Sequence, residues 1–185
     1  RSHGNNMEKR CVLDVSGTPG VGKTAACEAL MGLGWEVLSL ADLASEHGCL
    51  EEIDSNDGAA PIDIHRLTEA WEAPKNGRYL VDGHLAHFLE VDGVVLLRCR
   101  PSILQERLLQ RQYSEAKIRA NVEWEMTSGH WAELLDFEIE VPVAEFDTAS
   151  RTSEALAKAI DAWSNDGLPS ADLNQQAFEA IDWLG

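Results

Sequence analysis

The sequence is poor in basic residues. Five lysines and ten arginines stand against 32 aspartates and glutamates, which gives a formal net charge of −17. A surface of that sign repels polyanions, so we expect no broad basic surface for nucleic acid and no direct DNA binding. So little lysine in so acidic a chain predicts a halophilic protein, adapted to a salt-rich cytoplasm in which the repulsion is screened. A preference for a basic protein partner is a compatible explanation.

Cysteine is also scarce, and long apolar runs are missing. The four cysteines lie far apart without a C-x-x-C pair, so neither a zinc site nor a disulfide framework is predicted, and reduced thiols in a cytoplasmic protein are expected. No apolar stretch approaches the length of a membrane span, and we expect no membrane association. Residues 1–6 are interpreted as a cloning remnant, and residues 7–185 as one domain.

Hydrophobic patterning predicts strands that alternate with helices. This order predicts an α/β fold with a parallel sheet covered on both faces, and it places ligands at the carboxyl ends of the strands. A mobile polar loop is expected over residues 48–61 and an amphipathic helix over residues 171–184. The expected strands are residues 11–16, 36–40, 78–82, 93–99 and 143–147.

A glycine-rich loop follows the first expected strand. Residues 17–24 read GTPGVGKT, which fits the pattern G-x-x-x-x-G-K-[ST] without a mismatch, and a helical stretch follows them. The glycines let backbone N–H groups turn toward the β- and γ-phosphates of a nucleotide at the start of a helix. Lys23 adds a positive charge, and the Thr24 hydroxyl is placed to bind Mg²⁺. The motif predicts binding of a nucleoside triphosphate.

A second candidate site follows the third expected strand. This strand ends in Asp82, a position typical of the carboxylate that holds Mg²⁺ or a Mg²⁺-bound water in phosphate-loop enzymes. The alternative is an aspartate that caps the next turn. His84 could contact the γ-phosphate or the attacking group, or it could be structural. His87 is interpreted as a packing or capping residue.

Arg107 and Arg111 lie one helical turn apart. Arginine fits phosphate oxygens and stacks on bases, so a mobile arm that carries it could close over a nucleotide and exclude water. The alternative is a pair of solvated arginines beside nearby glutamates. The sequence has no N-K-x-D motif, which counts against a GTPase switch, and no serine-glycine-glycine signature of transport ATPases. Together with the chain length, these features favour a small P-loop kinase.

Three segments carry a family resemblance. GTPGVGKT, VDGHLAHFL and ERLLQRQYSEAKIRANVEWEM together resemble the archaeal adenylate kinase-like family, relatives of adenylate kinase isoenzyme six. The most specific element is Asp82-Gly83-His84 combined with the spaced residues of the third segment, from Arg111 to Asn121. The resemblance implies a P-loop NTPase three-layer fold with a five-stranded parallel sheet. It also implies an acceptor-nucleotide arm around residues 40–61 and a small lid around residues 110–120.

The resemblance further implies an activity and partners. These are Mg²⁺-dependent adenylate kinase activity (ATP + AMP = 2 ADP), ATPase activity, and a role in small ribosomal subunit maturation and rRNA processing beside the ribosomal protein uS11. The implied catalytic residues are Lys23, Asp82, His84 and Arg111, with Thr24 and Asp82 on the metal. The expected ATP-binding residues are Gly17, Gly20, Val21, Gly22, Lys23, Thr24, Ala25 and Arg111.

Two other functions remain open on the residues alone. The first is an ATP-gated assembly factor for a basic ribosomal protein, in which AMP phosphorylation is incidental. The second is a P-loop kinase for another small molecule. If the protein is a kinase, Lys23, Mg²⁺ and Arg111 would offset the charge of the transferred phosphoryl group. Asp82 and His84 would position the metal and the nucleophile.

Overall fold

The described part of the chain contains a five-stranded sheet with the strand order β2-β3-β1-β4-β5, and all four pairings are parallel. The computed structural model describes residues 10–51 and 61–184. The expected α/β class and all five strands are confirmed. β1 ends one residue later than expected, and β2 and β4 each end one residue earlier, β2 because Leu40 begins a helix. The strands are β1 Cys11–Gly17, β2 Glu36–Ser39, β3 Arg78–Asp82, β4 Gly93–Arg98 and β5 Val143–Asp147.

Helices cover both faces of this sheet. Several begin at a side chain that satisfies a free backbone N–H, as where Ser114 Oγ accepts a hydrogen bond from Lys117 N. A short 3-10 helix, Ala86–Phe88, follows β3. The α-helices are α1 Lys23–Met31, α2 Leu40–Glu46, α3 Ile64–Ala70, α4 Pro101–Gln110, α5 Glu115–Met126, α6 Gly129–Asp136, α7 Ser153–Asn165 and α8 Leu173–Phe178.

The central strands β1 and β4 are buried on both faces, as expected for a parallel sheet between two helical layers. Leu13 and Val15 of β1 pack into the cluster that contains the buried residues of α1 and α7. Val12 belongs to the opposite cluster with residues of α2 and α3. Because side chains alternate along a strand, Asp14 lies on the same face as Val12, inside the protein.

The strand order places a crevice at the carboxyl end of β1. This strand pairs with β3 on one side and β4 on the other, so the chain leaves β1 at the point where the direction of winding changes. The register sets Val15 beside Asp82 and Gly17 beside Leu97. The glycine-rich loop and Asp82 therefore meet at the same edge of the sheet.

The last expected helix is wrong in length. It was expected over residues 171–184, but α8 ends at Phe178. Leu173, Ala177 and Ala180 pack as expected, against a cluster around β4, β5 and α6. After α8, Ile181 N donates to Glu145 Oε1 and Trp183 Nε1 donates to Glu125 Oε1, so hydrogen bonds to distant carboxylates replace further helical turns.

Some expectations fall wholly or partly on segments that are not described. The interpretation of residues 1–6 lies outside the described residues, as does most of the expected mobile loop. An antiparallel bridge between Leu50 and Ile62 flanks the part of that loop that is not described. The four cysteines are free and buried. No helix in the described ranges is long and apolar enough to cross a lipid bilayer.

Candidate active site

The glycine-rich loop has a shape that only glycine permits at three positions. Gly20 and Gly22 have φ values of 91° and 102°, in the left-handed region that favours glycine. At Gly17 a Cβ atom would lie 2.7 Å from Val21 Cγ2 and 3.0 Å from Leu97 O. The loop therefore turns tightly against the end of β4 and then enters α1 at Lys23.

Three side chains from distant segments hold this loop. Arg107 Nη1 of α4 donates to Gly20 O at 3.0 Å, and Thr148 Oγ1 donates to Val21 O at 2.6 Å. Thr18, the second residue of the loop, donates from its own hydroxyl to Glu125 Oε2 at 3.0 Å. Arg107 is therefore not the solvated arginine of the alternative interpretation. Thr148 lies in no sequence motif, and Glu125 lies within the third family segment but carries no signal that marks it as a site residue.

Two cavities flank the loop. The first has a volume of about 380 Å³ and is lined by Gly20, Val21, Gly22, Ala25, Arg107 and Arg111, among others. The second, of about 440 Å³, is lined by Gly17, Lys23, His84, Asn121, Trp124 and Glu133, among others. The loop thus forms a shared wall, and the neighbouring residues Gly22 and Lys23 face different cavities.

Lys23 and Asp82 form an ion pair at this site. Lys23 Nζ lies 3.2 Å from Asp82 Oδ1, and the two side chains are 25% and 36% exposed. Asp82 pairs with the lysine of the loop and does not cap the following turn, so the capping alternative loses its support. Thr24 is in the first turn of α1, where it is exposed.

The oxygen atoms of Thr24 and Asp82 suit Mg²⁺. This ion prefers oxygen ligands and is commonly held by one or two protein oxygens together with waters and phosphates. Within residues 10–51 and 61–184, no group of three or more histidine, cysteine, aspartate or glutamate side chains is arranged to hold a metal by itself. The donor set therefore fits a metal that arrives with a nucleotide.

His84 lies beside Glu133 in the second cavity. Its Nε2 atom is 3.7 Å from Glu133 Oε2, and its side chain is 65% exposed. Burial raises the pKa of the Glu133 carboxyl, and the charge of His84 opposes this shift. Glu133 belongs to α6 and was not anticipated from the sequence. The structure thus brings Lys23, His84 and Glu133 to one cavity and Arg111 to the other.

A buried carboxyl group lies beneath the site. Asp14 is fully buried, and burial raises its pKa to about 7. The Ser16 hydroxyl, 3.0 Å from both carboxyl oxygens, and the charge of Lys23 oppose this shift. His87 Nδ1 lies 3.7 Å from Asp14, and burial lowers the pKa of His87 to about 4, so His87 is neutral at pH 7. As expected, His87 is a packing residue, set against Phe88 and Phe137.

The fold and the loop define a class. A parallel sheet wound in this order, with a phosphate-binding loop between its central strand and the next helix, is the architecture of P-loop NTPases. Comparison with known proteins agrees, because the family described as "AAA domain" matches residues 15–128.

Curated relatives refine this placement. The chain is 37% identical to a protein of Archaeoglobus fulgidus (82% of this chain, 80% of the relative) and 40% identical to one of Pyrococcus abyssi (80% and 81%). It is 35% identical to one of Pyrococcus furiosus (93% and 91%). Each relative bears the name "Putative adenylate kinase". The chain therefore belongs to the archaeal adenylate kinase-like family of P-loop NTPases, and the resemblance noted in the sequence is confirmed.

Proposed function

We propose that this protein is a Mg²⁺-dependent nucleotide kinase that transfers the γ-phosphoryl group of ATP to AMP and also hydrolyses ATP. The observation that carries the proposal is the pair of cavities on either side of one phosphate loop, with Gly22 facing one and Lys23 the other. A kinase needs a donor compartment and an acceptor compartment that meet at the transferred group. The names of the relatives supply the donor and the acceptor, ATP and AMP.

The first cavity suits the donor nucleotide. It begins at the loop and reaches Arg111, which caps the C-terminus of α4, and Leu156 of α7. An arginine beside an apolar side chain suits a base and its phosphates, since guanidinium groups stack on rings and bind phosphate oxygens. Arg107 Nη1 is engaged with Gly20 O, whereas Arg111 is exposed and is therefore the more available arginine for the nucleotide. Ala25 provides no hydroxyl for the phosphates.

The second cavity suits the acceptor phosphate. Lys23 lines it and can move its ammonium group from Asp82 to the transferred phosphoryl group. Bound through Thr24 and Asp82, Mg²⁺ would neutralise charge on the phosphates. His84, held near Glu133, can donate a hydrogen bond to the incoming phosphate. Neither transfer to AMP nor hydrolysis needs a covalent intermediate on the protein, because phosphoryl transfer depends on positioning and charge neutralisation.

Nucleotide analysis tests the proposal. Purified protein is incubated with ATP and Mg²⁺, with and without AMP, and ADP is counted by chromatography. We expect AMP to accelerate ATP consumption. After subtraction of the ADP that hydrolysis produces without AMP, two ADP molecules should form for each AMP consumed. ATP consumption that AMP leaves unchanged would refute the adenylate kinase assignment. Faster consumption with another phosphate acceptor, such as CMP or GMP, would instead favour a kinase for another small molecule.

The ribosomal role remains a prediction from the resemblance. A net charge of −17 supports a basic partner such as a ribosomal protein, because opposite charges steer the encounter. Titrating uS11 and a matching rRNA fragment separately, with and without ATP and Mg²⁺, tests it. Binding of uS11 that depends on the nucleotide would favour the ATP-gated assembly factor, above all if uS11 and not AMP raises ATP turnover. Tight binding of the RNA fragment, without affinity for uS11 in any nucleotide state, would refute the proposal of a basic protein partner.

A further inference from the structure

The hydroxyl of Thr18 points away from the two cavities and into the protein. Thr18 is 1% exposed, and its Oγ1 donates to Glu125 Oε2 at 3.0 Å. Its carbonyl oxygen accepts a hydrogen bond from Val21 N at 3.1 Å, which closes a turn inside the loop. The position of Thr18 therefore helps to set the direction in which the following N–H groups point.

The carboxylate that receives this hydrogen bond is itself immobilised. Glu125 is 1% exposed, and its other oxygen, Oε1, accepts from Arg98 Nε at 2.8 Å, from Cys99 N at 3.1 Å and from Trp183 Nε1 at 3.1 Å. A buried carboxylate is stable only when it is paired and hydrogen-bonded in this way. The hydrogen bond to Thr18 is the one that reaches the phosphate loop.

Glu125 also lies on a helix that leads away from the expected lid. The end of α4, the turn at residues 111–114 and the first half of α5 make up this region. Arg107, on the α4 side, holds Gly20 O, and Glu125, on the α5 side, holds Thr18. The two helices that flank the turn thus each grip one residue of the loop.

We propose that Glu125 is a positioning residue for phosphoryl transfer, which acts through the Thr18 hydroxyl to hold the phosphate loop in its nucleotide-binding shape and to join that loop to the helix after the lid. The inference rests on the proposed kinase function. A purely structural Glu125 would need only its contacts with Arg98, Cys99 and Trp183. The hydrogen bond from Thr18 is not needed by Arg98, Cys99 or Trp183, but it holds the loop whose N–H groups face the phosphates.

Substitutions at Thr18 separate these roles. Thr18→Val removes the hydroxyl and keeps the shape, Thr18→Ser keeps the hydroxyl, and Trp183→Phe removes a different donor from the same carboxylate without touching the loop. The readouts are kcat and KM for ATP, the Kd of ATP with Mg²⁺ by calorimetry, and Tm, with assays run well below the lowest Tm. We expect Thr18→Val to weaken ATP binding and lower kcat, each about tenfold. Thr18→Ser and Trp183→Phe should stay within about twofold of the wild type.

A combined variant tests whether Glu125 acts through Thr18. Glu125→Gln replaces the charged acceptor of the Thr18 hydroxyl by a neutral amide and should impair kcat and Kd in the same direction. Adding Thr18→Val should change them little further, because both substitutions weaken one connection. If Glu125→Gln does not fold, the Thr18 series alone decides. Equal effects of Thr18→Val and Trp183→Phe on ATP binding, or no rescue by Thr18→Ser, would overturn the proposal. If the wild type makes no ADP from AMP, the proposed function fails, while calorimetry with ATP still tests the role of Glu125.

Discussion

Lys23 Nζ lies 3.2 Å from Asp82 Oδ1, so the cation of the phosphate loop and the carboxylate that ends the neighbouring strand neutralise each other beside the second cavity. A nucleotide with its metal offers a better partner to each, a triphosphate to Lys23 and a divalent cation to Asp82. The pair therefore keeps both groups close to the positions in which they are needed.

Lys23→Ala should abolish phosphoryl transfer and leave the fold intact. We expect a loss of about 100-fold or more in kcat, because the charge aimed at the phosphates is deleted. Tm should change little, since a partly exposed ion pair contributes little to stability. The coupled ADP assay and thermal unfolding measure the two effects. ATP turnover equal to that of the wild type would exclude Lys23 from the site.

Arg111→Ala and Arg107→Ala should differ in kind. Arg111 is exposed and directly follows α4, so its loss should lower activity at an unchanged Tm. Arg107 donates to Gly20 O, so its loss should lower both activity and Tm. Activity assays and thermal melts of the two variants, made side by side, check this. A parallel decline of Tm and activity in Arg111→Ala would make that residue structural.

Asp14 should make stability depend on pH. Its folded pKa of about 7 lies above the ordinary value of 3.8, so its contribution to stability is fully present below about pH 4 and is lost as pH rises through 7. Asp14→Asn keeps an acceptor for Ser16 and removes the titration. Relative to that of the wild type, the free energy of unfolding of the variant should increase by roughly 2 to 4 kcal/mol from pH 4 to pH 8. Urea unfolding at a series of pH values measures it.

The difference between these two proteins isolates Asp14 from the buried histidines. Burial lowers the pKa of His87 to about 4 and that of His130 to about 3, so both groups make stability rise with pH up to their ordinary value of 6.5. That trend opposes the one from Asp14 but is common to wild type and variant. A stability difference independent of pH would show that Asp14 does not titrate in this range.

Salt should stabilise the protein. A net charge of −17 opposes compaction until counterions screen it. We expect Tm, followed by circular dichroism, to rise as KCl is increased from about 0.1 to 3 M, with most of the electrostatic part complete by about 1 M. Sucrose at matched osmolality serves as a control for excluded-solute effects. A Tm that is flat across the KCl series would remove the halophile interpretation.

Local sequence signals predicted the strands and the loop well. The central strands β1 and β4 are short, mainly apolar runs, and GTPGVGKT encodes its own turn through glycines with positive φ. Glu125 and Thr148 carry no such signal, because each lies more than 100 positions along the chain from the loop residue that it contacts. Asp14 lies within an apolar run of the sequence, and only the packing of helices on both faces of the sheet shows that its carboxyl group is fully buried. The predicted last helix is too long, because hydrophobic periodicity carries no information about the long-range hydrogen bonds of Ile181 and Trp183 that replace its final turns.

The position of β1 in the middle of the sheet has a consequence for the order of folding. The strand is made first, yet its partners are β3 and β4, and the groups that hold its loop, Arg107, Glu125 and Thr148, are synthesised later still. A nascent chain that ends before residue 148 therefore lacks part of the phosphate site. Folding must close long loops before these contacts form, which slows it. The complete phosphate site thus requires residues from most of the length of the polypeptide.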